Sequence, residues 1–297
     1  ANTYYAPDIS LLGEHLTKGG INLMQMQLAP QSILWLQRFN GGLTGVTYDK
    51  DQEVLGFHEH FLGGYSDAAQ TLPPVVESIA VIPDPTTTRD EVWLAVQRYV
   101  NGAAVRTVEV MTKFWEDGDS INDAFYVDCG ATYSGSATST VSGLTWLIGQ
   151  TVSVLADGSV HPPVVVDNTG KITLTRNAST IQIGLGYSSI GQTMKIEAGG
   201  QDGPSQGKYK RLHRAIFRFF QSIGLTVDGS GSDAAYPEPW RTSADLMDNP
   251  VALFTGDKRW SWEGKVDLDG QVYWEQTDPV PSNVLSIVVQ LETYDGD

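Results

Sequence analysis

Cysteine is nearly missing from this chain: Cys129 is the single one in 297 residues. An intrachain disulfide is therefore excluded, as is a zinc site built on cysteine thiolates, and assembly in a reducing cytoplasm is the expected setting. Histidine is scarce too, with five residues in all. Cations are few: Lys plus Arg total 19 against 35 Asp plus Glu, a net charge of −16. That balance argues against a broad basic surface gripping nucleic acid by its phosphates. It remains compatible with a protein that lets a polyanion slide past without sticking. No apolar run approaches the roughly 18 residues of a membrane-spanning helix. The opening ANTYYAPDISLLGEHL also lacks the basic start and long apolar core of a secretory signal.

What is abundant points to β structure. Hydrophobic residues make up 41% and charged residues 18%, a folded composition rather than a disordered one. The 31 glycines, frequent Thr, Val and Tyr, and many short apolar runs favour strands joined by tight turns. PDISLLGEHLTKGG is the best helix candidate: Asp8 can cap it, Leu11, Leu12 and Leu16 share a side, and Gly19 and Gly20 end it. ILWLQRF, the turn NGG, LTGVTY and EVLGFHEHF then predict an antiparallel meander over 33–61, and ESIAVIP, DEVWLAVQRYV, NG and AAVRTVEVMT a second over 77–112. Trp35 and Trp93 occupy like positions in the two, a weak internal repeat of blade type. ATYSGSATSTVSG, 131–143, reads as a linker or long loop. Four short strands between 150 and 187 suit a small barrel, and RAIFRFF, VALFTG, KRWSWEGKV, GQVYWEQT and LSIVVQLETY suit a further sheet.

Several stretches invite a chemical reading. In GFHEHFLGG, His58 and His60 fall on one face of a strand and Glu59 on the other, so the pair could begin a metal site. A catalytic zinc wants a third protein ligand, and nothing marks His15, His161 or His213 as that ligand; polar positions on an exposed strand face are the plainer expectation. WEDGDSINDAFYVD is acidic, but counting from Asp117 the sixth position is Asn122 rather than the glycine of a calcium loop. GPSQGK lacks the spacing of a phosphate-binding loop, and Tyr209 follows Lys208 where Ser or Thr is required. The most unusual charge feature is KYKRLHRAIFRF, with Lys208, Lys210, Arg211, Arg214 and Arg218. This run could face DNA or an acidic neighbouring subunit, or could be a solvated strand whose cations discourage wrong pairing.

TYDKDQEVLGFHEHFLGG resembles a stretch of the tail nozzle, or packaged-DNA stabilisation, proteins of short-tailed bacteriophages. Thr47, Tyr48, Gln52, Glu53, Val54, Gly56, His58 and His60 fall on that motif, with Phe57 where an aromatic is usual; Glu59 departs from it, since a basic residue is common there. DISLLGEHL, VESIAVIP, DEVWLAVQRYVNG, DAFYVDCGATYSG, SGLTWLIGQTVSVLADG, IQIGLGYSS, ALFTG and TDPVPSNVLSIVV are similar to further parts of the same family. The resemblance implies a structural virion protein with no catalytic residue, metal or cofactor, assembled as a homo-oligomeric ring, usually a hexamer. Such a ring retains packaged double-stranded DNA and opens as its ejection channel without reading sequence. Its partners would be tail adaptor or portal proteins and tail fibres or spikes, with no membrane span, and this chain would match the C-terminal portion of longer members.

The expectation is thus an all-β protein: a helix plus propeller-like antiparallel blades over 1–143, a small inserted β-barrel over 144–198, and a sandwich-like C-terminal β-sheet domain over 199–297. The rival reading from another class is a host-surface propeller that binds or cleaves carbohydrate, for which eight Trp and twelve Tyr could supply stacking faces. A metal hydrolase centred on His58 and His60 is a third.

Overall fold

Period-two alternation decides the architecture. The computed structural model describes residues 8–11, 13–197, 199–200, 203–229, 233–234, 236–237, 239–246, 249–262 and 266–294. Among the described residues strand takes 55% and helix 4%, an all-β protein of antiparallel sheets, none of those described closing into a barrel. One compact unit comprises Ala1–Phe114, Gly143–Gln150 and Val166–Gly170; the other comprises Trp115–Ser142, Thr151–Val165 and Lys171–Asp297.

The first unit holds two meanders. β1 (Ile21–Gln27), β2 (Ile33–Arg38), β3 (Leu43–Asp49) and β4 (Val54–His60) pair in chain order, as do β5 (Val75–Pro83), β6 (Asp90–Val100) and β7 (Ala103–Val110). The turns follow from their residues. Asn40 accepts from Gly42 N–H at 3.0 Å, and Asn101 and Gly102 both take positive φ, the conformation a two-residue hairpin requires. Inward positions of both sheets, among them Ile33, Trp35, Leu43, Val76, Val92, Leu94 and Val96, make one buried cluster. Polar ties fix the sheets to one another. Asp90 Oδ2 accepts from Leu28 and Ala29 N–H at 2.7 and 3.0 Å, and Val76 N–H donates to Gly41 O at 2.8 Å.

Two expectations here are corrected. The helix over 8–20 is a single turn, Glu14–Thr17, with no buried residue; Asp8 accepts from Ser10 N–H and Oγ instead. Leu11 is exposed and Leu12 lies outside the described residues. Gly13 stands at the helix start without a side-chain cap, and so short a helix cannot offset the cost of its nucleation. β1 was not expected at all, because INLMQMQ alternates Met and Leu with Asn and Gln rather than with β-branched residues.

In the second unit the stretch read as a linker is most of a 15-residue strand, β8 (Asp128–Ser142). It pairs with an equally long β11 (Lys171–Leu185), which fuses the two short strands expected there and shifts register near Ala178. β9 (Thr151–Ala156) and β10 (Ser159–Val165) complete a sheet of order β10-β9-β11-β8. That sheet is open, with β10 and β8 at its edges, so the expected barrel is not formed. Ser and Thr repeat along β8 because an edge strand needs backbone partners on one side only, and short hydroxyl side chains suit its wetted face.

The last part of the unit is a sandwich. One sheet consists of β12 (Ser189–Gln192), Val272–Gln276, Thr226–Gly229 and Asp233–Ala234. The other is centred on the long strand Tyr209–Ser222, flanked by Phe254–Ser261 and Val266–Asp267 on one side and Val284–Tyr294 on the other. Phe217, Phe219, Trp260, Val227 and Val272 share the core between them. Phe217 meets the Trp260 ring edge-on at 5.1 Å and the Trp274 ring edge-on at 5.8 Å.

Candidate functional site

The basic run becomes the strand Tyr209–Ser222, and alternation divides its charges. Lys210 turns inward, only 1% exposed, and donates from Nζ to Glu197 Oε1 at 3.1 Å and to Leu268 O at 3.2 Å. Lys208 precedes the strand in a turn, its N–H on Ser205 O at 3.2 Å. A register shift between Leu212 and Arg214 inserts His213 and returns Arg214 to the outward side held by Arg211. Ile216 and Arg218 continue that side. Arg218 grips Asp257 with two hydrogen bonds, Nε to Oδ1 at 2.8 Å and Nη2 to Oδ2 at 3.0 Å. That contact holds the Asp257 carboxyl below its ordinary range.

Of the five cations in the run, the structure brings Arg211, Arg214 and Arg218 together on one sheet face and sets Lys208 and Lys210 apart from it. It adds Arg259, which the sequence reading passed over. Arg259 stands opposite Ile216 on the adjacent strand, exposed, while its neighbours Lys258 and Trp260 are buried. The alternation in DKRWSW was the available signal. The side chains of Arg214 and Arg259 make no hydrogen bond or ion pair among the described residues, whereas Lys258 lies over Phe254 and Trp240 and donates to Pro239 O at 3.0 Å.

The histidine pair is placed differently from expectation. His58 and His60 do share a face with Glu59 opposite, but that face is the inward one: His58 is paired through Gly45 with Trp35, which is buried. Gly45 makes the room, since a Cβ there would lie 2.1 Å from the His58 ring. His58 Nδ1 and His60 Nε2 share a hydrogen bond of 2.7 Å, His58 Nε2 meets Thr47 Oγ1 at 3.1 Å, and both rings stand edge-on to Trp35. Burial lowers the pKa of His58, and burial followed by the His58 charge lowers that of His60 to about 4. Two neutral rings bonded to each other at neutral pH present no converging lone pairs. Among the described residues no group of three His, Cys, Asp or Glu could hold a metal ion. Glu59 is ion-paired with Arg38.

The remaining stretches are tied into the fold. In the acidic loop Glu116 N–H donates to Asp119 Oδ2 at 2.9 Å and Asp119 N–H to Glu116 O at 3.0 Å. Gly203–Pro204 pairs with Gly199–Gly200 as a short hairpin. His161 bonds Pro162 O at 2.7 Å and accepts from Thr175 N–H at 3.0 Å. Trp35 and Trp260 are core residues rather than stacking platforms.

Among known proteins, no family model matches this chain and no curated protein matches it.

Proposed function

We propose that this chain is a structural virion protein that forms the distal nozzle ring of a short phage tail, retaining packaged DNA and providing its ejection channel. The observation that carries the reading is how charge is distributed over the sheets. Buried or half-buried cations are locked onto carboxylates within the fold: Arg98 on Glu109, Arg38 on Glu59, Lys210 on Glu197. The unpartnered arginines stand on the outside of a sheet, where an assembly contact would use them. Rigid antiparallel sheets so fixed suit scaffolding better than chemistry that needs a titrating group in an open cleft. The net charge of −16 suits a conduit from which DNA slips without adhering. Likeness to the nozzle family in TYDKDQEVLGFHEHF and the other stretches supplies the identity of the assembly, its hexameric ring and its contacts with adaptor or portal, fibres or spikes.

The test is electron microscopy of the native particle with an antibody against this chain. Label and density at the tip of the tail axis are expected. Density away from that axis, or its absence from particles, overturns the reading. Glycan binding or polysaccharide cleavage by the purified chain would favour the carbohydrate-active alternative.

A further inference from the structure

The C-terminal sandwich has two outer faces, and they differ in charge. The face centred on Tyr209–Ser222 carries Arg211, Arg214, Arg218 and Arg259 against Asp257 and Glu292, an excess of cations in an acidic chain. Beside them, opposite Ile216, Val288 is 56% exposed. The other outer face belongs to the second sheet. Strand register fixes its two outward rows: Ile190, Glu275 and Thr226 in one, Gln192, Tyr273 and Asp228 in the other. Val227 and Val272, one position along, are buried in the shared core, and Trp274 packs against it, so those rows point away from it. They contain two carboxylates and no lysine or arginine, and Ile190 is 51% exposed. Burial first, and then the charges of Glu275 and Asp228, raise the Tyr273 pKa, so the three belong to one patch.

We infer that these faces dock head to tail, the arginine face of one copy against the Glu275–Asp228 face of the next. This rests on the reading above that the chain assembles as a ring of its own copies. Either face placed on itself would set like charges together, which an interface avoids. Placed on each other, opposite charges meet around exposed Val288 and Ile190, and an apolar centre with a charged surround is the usual make-up of a specific contact. A contact between two different faces repeats from copy to copy and closes into a ring when the rotation per step allows. Passing DNA is the competing partner for the arginines. It would leave the acidic face, with its exposed isoleucine, without a role, so a second copy accounts for both faces where a polyanion accounts for one.

Three chains test the inference by sedimentation velocity: Arg214→Glu with Arg259→Glu, Glu275→Lys with Asp228→Lys, and all four substitutions together. Each of the first two should raise the dissociation constant of self-association by roughly tenfold or more. Mixed, they should assemble again in alternation, since the native faces meet at one contact and the two altered faces, now of opposite charge, meet at the next. The chain with all four carries a complete exchange and should recover assembly, which a misfolded variant could not do. Unaltered assembly in the first two chains, failure of the exchange to restore it, or a wild-type chain that stays monomeric throughout overturns the inference. Loss of DNA binding with assembly intact would assign the arginines to the polyanion instead. Placement of the chain in the particle is a separate measurement, so the nozzle reading and this contact can fail independently.

Discussion

His58 Nδ1 lies 2.7 Å from His60 Nε2 on the inward face of the first meander, against Trp35. One ring must donate and the other accept, so the bond forms with at least one ring neutral. The His60 pKa, lowered from 6.5 to about 4 chiefly by burial, means that the folded chain binds its proton later than the unfolded chain does. Stability is therefore full above the unfolded value and is lost as pH falls from near 6.5 towards 4. The loss attributable to this group by the lower limit is on the order of 3 kcal/mol. Urea unfolding between pH 7 and 4.5 should show it, and His60→Phe should flatten the slope in that window. An equal slope in both chains would remove His60 as its source.

Gly45 bears the same cluster from the neighbouring strand. A Cβ there would fall 2.1 Å from His58 Cε1, so Gly45→Ala must displace a ring that Thr47 and His60 both hold. The expected cost is about 1–3 kcal/mol, as for other overpacked sites. In combination with His58→Ala the cost should largely disappear, a coupling that a double-mutant cycle in urea measures directly. Additive losses would mean that the crowding lies elsewhere.

This pair also marks how far the sequence could be read. Period-two alternation located β2 to β7 nearly to the residue, because β-branched and aromatic residues alternate there and Asn-Gly turns separate them. It placed His58 and His60 on one face but took that face for the exposed one. That choice depends on Gly45 in another strand, which clears the space, and on Trp35 beyond it. The linker reading of 131–143 failed for a related reason: Ser and Thr are as compatible with an edge strand as with a loop, and the partner β11 that decides between them lies some distance along the chain. Lys210 was grouped with the outward cations of the basic run, although the alternation that buries it was there to read, whereas Arg259 joins Arg214 and Arg218 through strand pairing.

Asp90 opens β6 and holds the turn before β2 by accepting from two consecutive amides, Leu28 and Ala29. Asp90→Ala leaves both donors to water or unsatisfied, and the expected loss is about 1–3 kcal/mol. Hydrogen exchange should then quicken at those two amides, with protection in the β8–β11 sheet unchanged. Uniform loss of protection across the chain would show that Asp90 matters to the whole fold rather than to this joint.

Lys210 and Glu197 form a pair whose members are unequally buried, 1% and 41% exposed. Removing the carboxylate strands an ammonium in the sandwich interior with only Leu268 O left to accept from it. Removing the lysine leaves a glutamate that can turn towards water and keep its bond to Ser205 Oγ. Glu197→Gln should therefore cost more than Lys210→Met, the first by about 3 kcal/mol for an uncompensated buried charge and the second by less. Urea unfolding curves for both chains at pH 7 check this order. Equal losses would mean that the lysine charge is compensated from another side.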